Sequence, residues 1–229
     1  NGLKMIINGE STNKELINKI FTIANNPQNG RVEKFKGSYH ELPNIVYKYI
    51  NKINESICLK NKLKVVVDCG NAVAGLIAPK LLSKIGCEVI PLHCEIDGDF
   101  PNHHPDPVVP KNMVDLIKKV KQTNADLGIG FDGDGDRLGI VDANGRLVFA
   151  DEYMKYFIED VLKQNTTSKI IFDIKCSNSL PILISQLGGE PILSKTGHSI
   201  IKNKIKETNA IMAVEMSGHI FFNDKWYGH

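Results

Sequence analysis

The sequence lacks the features that mark membrane and secreted proteins. No apolar run approaches the roughly 20 residues that a membrane-spanning helix requires, and the first residues do not show the charged, apolar and small-residue segments of a signal peptide. The five cysteines are odd in number and include no CxxC pair, so we expect reduced, buried thiols instead of a disulfide framework. These absences predict a cytoplasmic protein without a membrane partner.

A strong excess of charge of either sign is also missing. The net charge of +2 gives no reason to expect a nucleic-acid partner. With 42% hydrophobic residues among 229, the chain can form one large or two ordinary domains. Arginine is scarce, and Arg137 directly follows an acidic cluster. That position indicates either phosphate binding by the forked guanidinium or a salt bridge within its own loop.

The acidic cluster is the stretch FDGDGDR at residues 131–137, with apolar sequence on both sides. Alternate side chains of an extended chain point the same way, so Asp132, Asp134 and Asp136 can converge if Gly133 and Gly135 let the backbone curl. Three carboxylates suit a hard cation such as Mg²⁺ or Ca²⁺ and argue against zinc, which prefers imidazole and thiolate. The spacing predicts a metal site, with a polar turn between two strands as the alternative.

An EF-hand calcium loop does not match these positions. Such a loop needs glycine at its sixth position and glutamate at its twelfth, where this sequence, counted from Asp132, has Arg137 and Ala143. The flanks also have the pattern of strands, because RLGIVDANGRLVF alternates around the Asn144-Gly145 turn signal of a hairpin. The acidic loop is therefore predicted to lie between strands of a sheet.

The pattern that leads to the acidic loop recurs later in the chain. Helices and strands alternate from residue 63 to the acidic loop and again from residue 151. VVVDCGN aligns with IIFDIKCSN, and TNADLGIGFDGDGD aligns with TNAIMAVEMSGH. Runs of β-branched residues between helices predict mainly parallel sheets covered by helices, with sites at the carboxyl ends of strands. We predict an α/β fold in which one unit is used twice, with a cleft between the two functional loops.

The end of the second unit that corresponds to the acidic loop carries three polar side chains. Glu215, Ser217 and His219 alternate around Gly218 in the motif EMSGH. Their position predicts a second functional loop opposite the acidic one. Polar residues that simply end a strand are the alternative explanation.

Two more positions of the second unit indicate an anion site. Lys175 ends the strand IIFDIK, and TGHS opens a helix with Ser199 predicted as its N-cap. Because a helix N-terminus presents unpaired N–H groups, an anion can bind there beside His198 and Lys175. Taken singly, Lys175 is also explained as a solvated side chain and His198 as a turn residue.

The stretch FPNHHPDP at residues 100–107 contains histidine and aspartate side chains that resemble metal ligands. Its prolines indicate a rigid surface loop. We therefore expect this loop to have a structural role.

The motifs FDGDGDR, TGHS and EMSGH, in this order and spacing, resemble those of the α-D-phosphohexomutase superfamily, specifically the bacterial phosphomannomutase/phosphoglucomutase type. The resemblance runs essentially the whole length of the chain. It implies four domains around a cleft, of which this chain is expected to be a fragment without the phosphoserine loop. Residues 1–42 would be the tail of domain 1, 43–147 domain 2, and 148–229 a truncated domain 3.

The resemblance also assigns roles to residues. Asp132, Asp134 and Asp136 are implied to bind Mg²⁺ together with the phosphoserine, and Arg137 to contact a phosphate. Glu215 and Ser217 are implied to contact the sugar hydroxyls. Catalytic or substrate-binding roles are implied for Lys4, Lys175, His198 and His219. Without the resemblance, Lys4 would be classed as a strand-edge lysine.

The implied activity is an intramolecular phosphotransfer. The phosphoserine would convert a mannose or glucose 1-phosphate into the 6-phosphate, or the reverse, through a hexose 1,6-bisphosphate, while the fragment itself is expected to be inactive. A phosphoglucosamine mutase is the nearest alternative, although those enzymes usually have Gln where Met216 stands. A haloacid-dehalogenase-type phosphotransferase with Asp132 as nucleophile, or a noncatalytic Ca²⁺-binding module, are alternatives from other classes.

Overall fold

The computed structural model describes residues 5–7, 10–12, 14–26 and 37–223 of the chain. Within these residues, no helix combines the length and the apolar character that crossing a membrane requires. Two α/β units account for most of the described chain, and a shorter segment precedes them.

The preceding segment consists of a two-strand ribbon and the helix α1, and the helix α2 follows it at the start of the first unit. Strands β1 and β2 pair antiparallel, and α1 buries none of its residues. Apolar side chains on both helices are exposed, for example Phe21 and Tyr47. The bounds of these elements are β1 Ile6–Ile7, β2 Glu10–Ser11, α1 Lys14–Ala24 and α2 Ile45–Asn54.

The first unit has a five-stranded mixed sheet. Its strand order is β4-β3-β5-β6-β7, with β3 parallel to both β4 and β5, and with antiparallel pairing from β5 onward. The strand VVV within β3 is almost fully buried, as expected for the centre of a parallel sheet covered on both faces. The elements are β3 Lys64–Asp68, a 3₁₀ helix Val73–Leu76, α3 Ala78–Lys84, β4 Glu88–Leu92, a 3₁₀ helix Pro110–Met113, α4 Val114–Thr123, β5 Leu127–Phe131, β6 Leu138–Asp142 and β7 Leu147–Val148.

The second unit has a four-stranded sheet with the order β11-β10-β8-β9. Strand β8 is parallel to β9 and β10, whereas β10 and β11 are antiparallel. The elements are α5 Ala150–Gln164, β8 Lys169–Asp173, α6 Ser179–Gln186, β9 Glu190–Ser194, α7 His198–Thr208, β10 Met212–Val214 and β11 Ile220–Phe222.

The predicted duplication is confirmed by the topology of the two sheets. Strands β4, β3, β5 and β6 correspond to β9, β8, β10 and β11 in order and in direction. The strand that ends at Phe131 and the strand that ends at Val214 therefore occupy the same place in their sheets. Each is followed by a short loop and an antiparallel partner, so the acidic loop and the EMSGH loop are structural counterparts.

The two units pack against each other through α5. Buried residues of α5, including Met154 and Ile158, form one core cluster against which Leu138 and Ile140 of the first sheet pack. The hydroxyl of Tyr153 donates a hydrogen bond to the carbonyl of Leu138 over 2.7 Å. Because Leu138 directly follows Arg137, this contact places the start of the second unit next to the acidic loop.

The cysteines are all free thiols, and the expected burial holds for most of them. Cys69 and Cys176 are buried, Cys87 and Cys94 are partly buried, and Cys58 is exposed. Burial was thus expected correctly for the cysteines in or beside strands and not for Cys58, which follows α2.

Candidate active site

The acidic loop connects β5 to β6 and brings its three carboxylates together. One oxygen from each of Asp132, Asp134 and Asp136 lies within 4.8 Å of the others. Gly135 has a φ of 76°, a conformation that side-chain-bearing residues rarely adopt. Gly133 needs no such conformation. The convergence expected from the spacing is present, and Gly135 is the residue that permits the curl.

Asp132 is buried and accepts the hydrogen bonds that hold the acidic loop in its conformation. Its side chain is 2% exposed, and Oδ1 accepts hydrogen bonds from the backbone N–H groups of Asp136 (3.0 Å) and Arg137 (3.1 Å). Oδ2 accepts a hydrogen bond from Arg137 Nε at 2.7 Å. Burial raises the pKa of Asp132, and the hydrogen bonds and positive charge of Arg137 oppose this without cancelling it.

Arg137 forms a salt bridge within its own loop, to Asp132, which was one of the two roles expected for it. It also forms a second salt bridge, to a residue outside this loop. Its Nη1 lies 3.1 Å from Oδ1 of Asp106, in the proline-rich loop FPNHHPDP. Burial lowers the pKa of Arg137, but the hydrogen bond to Asp132 and the charges of Asp132, Asp106 and Asp136 outweigh burial and raise it. The guanidinium is therefore a permanent cation at the edge of the carboxylate cluster.

The donors of the acidic loop fit a hard divalent cation. Carboxylate oxygens converge from three residues, of which Asp134 is exposed and Asp136 partly buried, so a cation can approach from solvent. Among the described residues, no imidazole or thiolate belongs to this group of converging atoms. Zinc would therefore not find the ligands that it prefers.

The EMSGH loop faces the start of α7. Glu215 is 1% exposed, and its Oε1 accepts a hydrogen bond from the backbone N–H of Gly197 at 2.7 Å. Gly197, with a φ of 138°, is the N-cap of α7. The prediction that Ser199 caps this helix is wrong. The helix begins at His198 because the unusual conformation of Gly197 turns the chain there, and the Glu215 carboxylate takes the place of a capping side chain.

His219 joins the two functional loops. Its Nε2 lies 3.0 Å from Oδ1 of Asp136, while Nδ1 lies 2.7 Å from Ser217 Oγ and 3.0 Å from Glu215 Oε2. Burial alone would lower the pKa of His219, but its hydrogen bonds to Asp136 and Glu215, and their charges, raise the pKa to about 9. At neutral pH the ring is therefore an imidazolium held between two carboxylates.

The other predicted residues lie at different distances from this centre. The ring of His198 packs 6.0 Å from that of His219 and 5.1 Å from that of Phe221, measured between centroids. Lys175 is exposed just after β8. Lys4 lies outside the described residues.

Asp173, which sequence reasoning did not select, ties three loops of the second unit together. This fully buried carboxylate accepts hydrogen bonds from Lys175 N (3.2 Å), Thr196 Oγ1 (2.9 Å) and Met216 N (3.4 Å). Its counterpart Asp68 ends β3, where it accepts a hydrogen bond from Gly70 N and faces His103. An aspartate at the end of each otherwise apolar strand, in VVVDCGN and IIFDIKCSN, was the available signal.

The proline-rich loop has the structural contacts that were expected of it. His103 Nε2 lies 3.0 Å from Asp68 Oδ2, which fastens the loop to the end of β3. Three residues later, Asp106 contacts Arg137. The importance of Asp106 was missed because its partner is 31 positions away in the sequence.

The chain is similar to known proteins in both sequence and fold. Residues 47–145 match the family model "Phosphoglucomutase/phosphomannomutase, alpha/beta/alpha domain II", and residues 149–228 match domain III of the same family. A phosphomannomutase/phosphoglucomutase of Pseudomonas aeruginosa is 48% identical over 100% of this chain and 48% of its own length. A phosphoglucomutase of Neisseria meningitidis is 43% identical over 100% of this chain and 49% of its own length.

A solved structure has the same fold. The phosphoglucomutase/phosphomannomutase family protein of Burkholderia thailandensis superposes with a TM-score of 0.91 at 44% identity, covering 98% of this chain and 48% of that one. The chain thus spans about half the length of the curated relatives that it matches.

Proposed function

The chain belongs to the phosphoglucomutase/phosphomannomutase family, and on this premise we propose that the whole protein interconverts the 1-phosphates and 6-phosphates of glucose and mannose. The phosphoryl group would pass through an enzyme phosphoserine and a hexose 1,6-bisphosphate. The relatives' names support this proposal, since they include both phosphomannomutase and phosphoglucomutase.

The observation that supports it best is the hydrogen bond between Asp136 and His219. It joins the acidic loop of the first unit to the EMSGH loop of the second over 3.0 Å. A mutase needs its phosphoryl-transfer groups and its sugar-binding groups around one substrate, because transfer depends on positioning. The contact between the acidic loop and the EMSGH loop satisfies that requirement.

In the acidic loop, Asp132, Asp134 and Asp136 would hold Mg²⁺, with the phosphoserine as a further oxygen ligand. The ion would stabilise the negative charge of the transferring phosphoryl group. Arg137 would bind phosphate oxygens, for which its planar donor fork is suited. Asp132 holds that fork from one side through Nε.

In the second unit, Glu215 and Ser217 would bind adjacent hydroxyls of the sugar. Carboxylate and hydroxyl groups tolerate exchanged partners, so the same pair can serve both orientations of the substrate. The hydrogen bonds of Glu215 to Gly197 N–H and of Ser217 to His219 would hold these side chains in place for that contact. His198, His219 and Lys175 would bind or help to activate the substrate.

General acid/base work is proposed for Lys4, next to the phosphoserine. His219, protonated and placed between Asp136 and Glu215, is a second group able to donate a proton or a hydrogen bond. The domain limits 43–147 and 148–229, residues 1–42 as the end of a preceding domain, and a cytoplasmic location are parts of the same proposal.

The proposal is tested by ³¹P NMR of the whole protein with Mg²⁺ and a trace of hexose 1,6-bisphosphate. Glucose 1-phosphate, mannose 1-phosphate and glucosamine 1-phosphate are supplied in separate samples. We expect the first two to yield their 6-phosphates. Turnover of glucosamine 1-phosphate alone would assign the protein to the phosphoglucosamine mutases, and an aspartyl-phosphate on Asp132 would support a haloacid-dehalogenase-type reaction.

A further inference from the structure

Arg137 is held by two carboxylates from separate loops. Asp132 accepts its Nε at 2.7 Å, and Asp106 accepts its Nη1 at 3.1 Å. Among the residues that the structure describes, Nη2 has no hydrogen-bond partner. Two edges of the planar group are therefore fixed, and the two N–H groups of Nη2 are left for another acceptor.

Asp106 is itself held firmly in place. It lies between two prolines in PDP, and its Oδ1 also accepts a hydrogen bond from Val108 N at 3.2 Å. Its backbone carbonyl accepts a hydrogen bond from Asn112 Nδ2 at 2.9 Å, and Asn112 is only 5% exposed. The carboxylate thus projects from a rigid loop, not from a mobile surface segment.

The charged residues around Arg137 explain why a second hydrogen-bond partner, Asp106, would affect the orientation of its guanidinium. Asp134 and Asp136 lie one to three positions away and converge with Asp132. The charges of Asp132, Asp106 and Asp136 all act on the guanidinium, so a guanidinium fixed only through Nε could turn among several carboxylates. With Asp106 on Nη1, the guanidinium stays in one plane beside the cluster.

We propose that Asp106 is a positioning residue that fixes the guanidinium of Arg137 for phosphate binding. This inference rests on the proposed function in so far as phosphate is the ligand of Arg137. It gives the loop FPNHHPDP a second role beside its structural one: His103 fastens the loop to β3, and Asp106 reaches from it into the active site.

Turnover of the whole protein tests the proposal by a double-mutant cycle with D106N, R137K and D106N/R137K. The control is D99N, because Asp99 is an exposed aspartate of the same connection. We expect D106N to lower kcat/KM by about 10- to 100-fold, with D99N unchanged, since small misplacements of a binding group cost that much. In the R137K background, D106N should have little further effect, because the carboxylate acts through the guanidinium.

Fully additive effects, or D106N and D106A variants that both behave as D99N does, would overturn the proposal. Asparagine keeps an oxygen that can accept from Val108 N and from Arg137, so D106A is the second variant. Melting temperatures of all variants are measured in parallel. A loss of turnover that merely follows a loss of folded protein would assign Asp106 a structural role only.

A readout without turnover separates this inference from the proposed function. In protein labelled with ¹⁵N-arginine, the side-chain signals of Arg137 are identified by their absence in R137K. We expect slowly exchanging, separate Nη signals in the wild type and D99N, and averaged signals in D106A. If the signals behave so and no mutase turnover exists, the positioning stands and the proposed function fails. Averaged Nη signals in the wild type would overturn the positioning itself.

Discussion

Oδ1 of Asp136 and Nε2 of His219 are 3.0 Å apart, although the two residues are 83 positions apart in the sequence. Each belongs to the loop that follows the same strand of its unit, β5 in the first and β10 in the second. Duplication of the unit thus produces two loops at equivalent strand ends, and the packing of the units brings those loops into contact. The contact between the acidic loop and the EMSGH loop is therefore a consequence of the duplicated unit.

Replacement of His219 by glutamine should impair turnover far more than folding. The variant loses the cation between Asp136 and Glu215, and with it a group that can donate a proton. We expect kcat to fall by about 10²- to 10⁴-fold, as for loss of a general acid or base, in a steady-state assay of the whole protein. His40→Gln is the control, because His40 is exposed and bonds only to Ser38 among the described residues. Equal turnover rates for the two variants would contradict a role of His219 in the active site.

Mg²⁺ binding should depend on Asp134 although this residue is exposed. Asp134→Asn removes one of three converging carboxylates, so we expect at least about a tenfold weaker Kd for Mg²⁺ in calorimetric titration. Asp160→Asn, on the exposed face of α5, should leave binding unchanged. An unchanged Kd in the Asp134 variant would contradict the metal site, and a marked preference for Ca²⁺ would favour a calcium-binding module.

Asp173 should be a major determinant of stability in the second unit. Asp173→Ala leaves the N–H groups of Lys175 and Met216 and the hydroxyl of Thr196 without their buried acceptor. We expect a loss of about 3 kcal/mol in the free energy of unfolding, measured with urea, because each such group costs about 1–3 kcal/mol. Asp173→Asn keeps one oxygen acceptor and should cost less. A loss in the alanine variant no larger than that of Asp160→Asn would refute this role.

The contact between His103 and Asp68 should stabilise the fold at low pH. The hydrogen bond to Asp68 is the largest cause that raises the pKa of His103, burial opposes it, and the charge of Asp115 adds to it. The His93 ring lies edge-on at 5.4 Å. Because the folded pKa exceeds the unfolded value of about 6.5, this stability is fully present below about pH 6.5 and is lost as pH rises through the folded pKa.

The variant His103→Asn tests that dependence. The difference in free energy of unfolding between wild type and variant should be larger at pH 5.5 than at pH 9, since only the wild type has this titrating group. His40→Gln again serves as the control. A difference that is constant with pH, or that grows toward pH 9, would contradict the assignment.

The repeat and the loop positions were predictable because they depend on local patterns. Periodicity and aligned motifs predicted both sheets, and the single-glycine spacing predicted the convergence of Asp132, Asp134 and Asp136. The N-cap of α7 was predicted at Ser199, two residues after its observed position at Gly197. The reason is that Gly197 N–H donates to Glu215, which is 18 positions away in the sequence. Asp173, Asp68 and Asp106 were missed for the same reason: each acts through partners 23 to 43 positions distant in the sequence.

We propose that the acidic loop is the phosphoryl-transfer end of a hexose phosphate mutase site. This proposal is tested most directly by a coupled assay of glucose 1-phosphate conversion to glucose 6-phosphate with the whole protein, its Asp134→Asn variant and the Asp160→Asn control. We expect turnover in the wild type and the control, and a loss of about 100-fold or more in Asp134→Asn, because a bound metal would contribute several kcal/mol of charge stabilisation in the transition state. Wild-type rates in Asp134→Asn, or no turnover in any of the three proteins, would contradict the proposal.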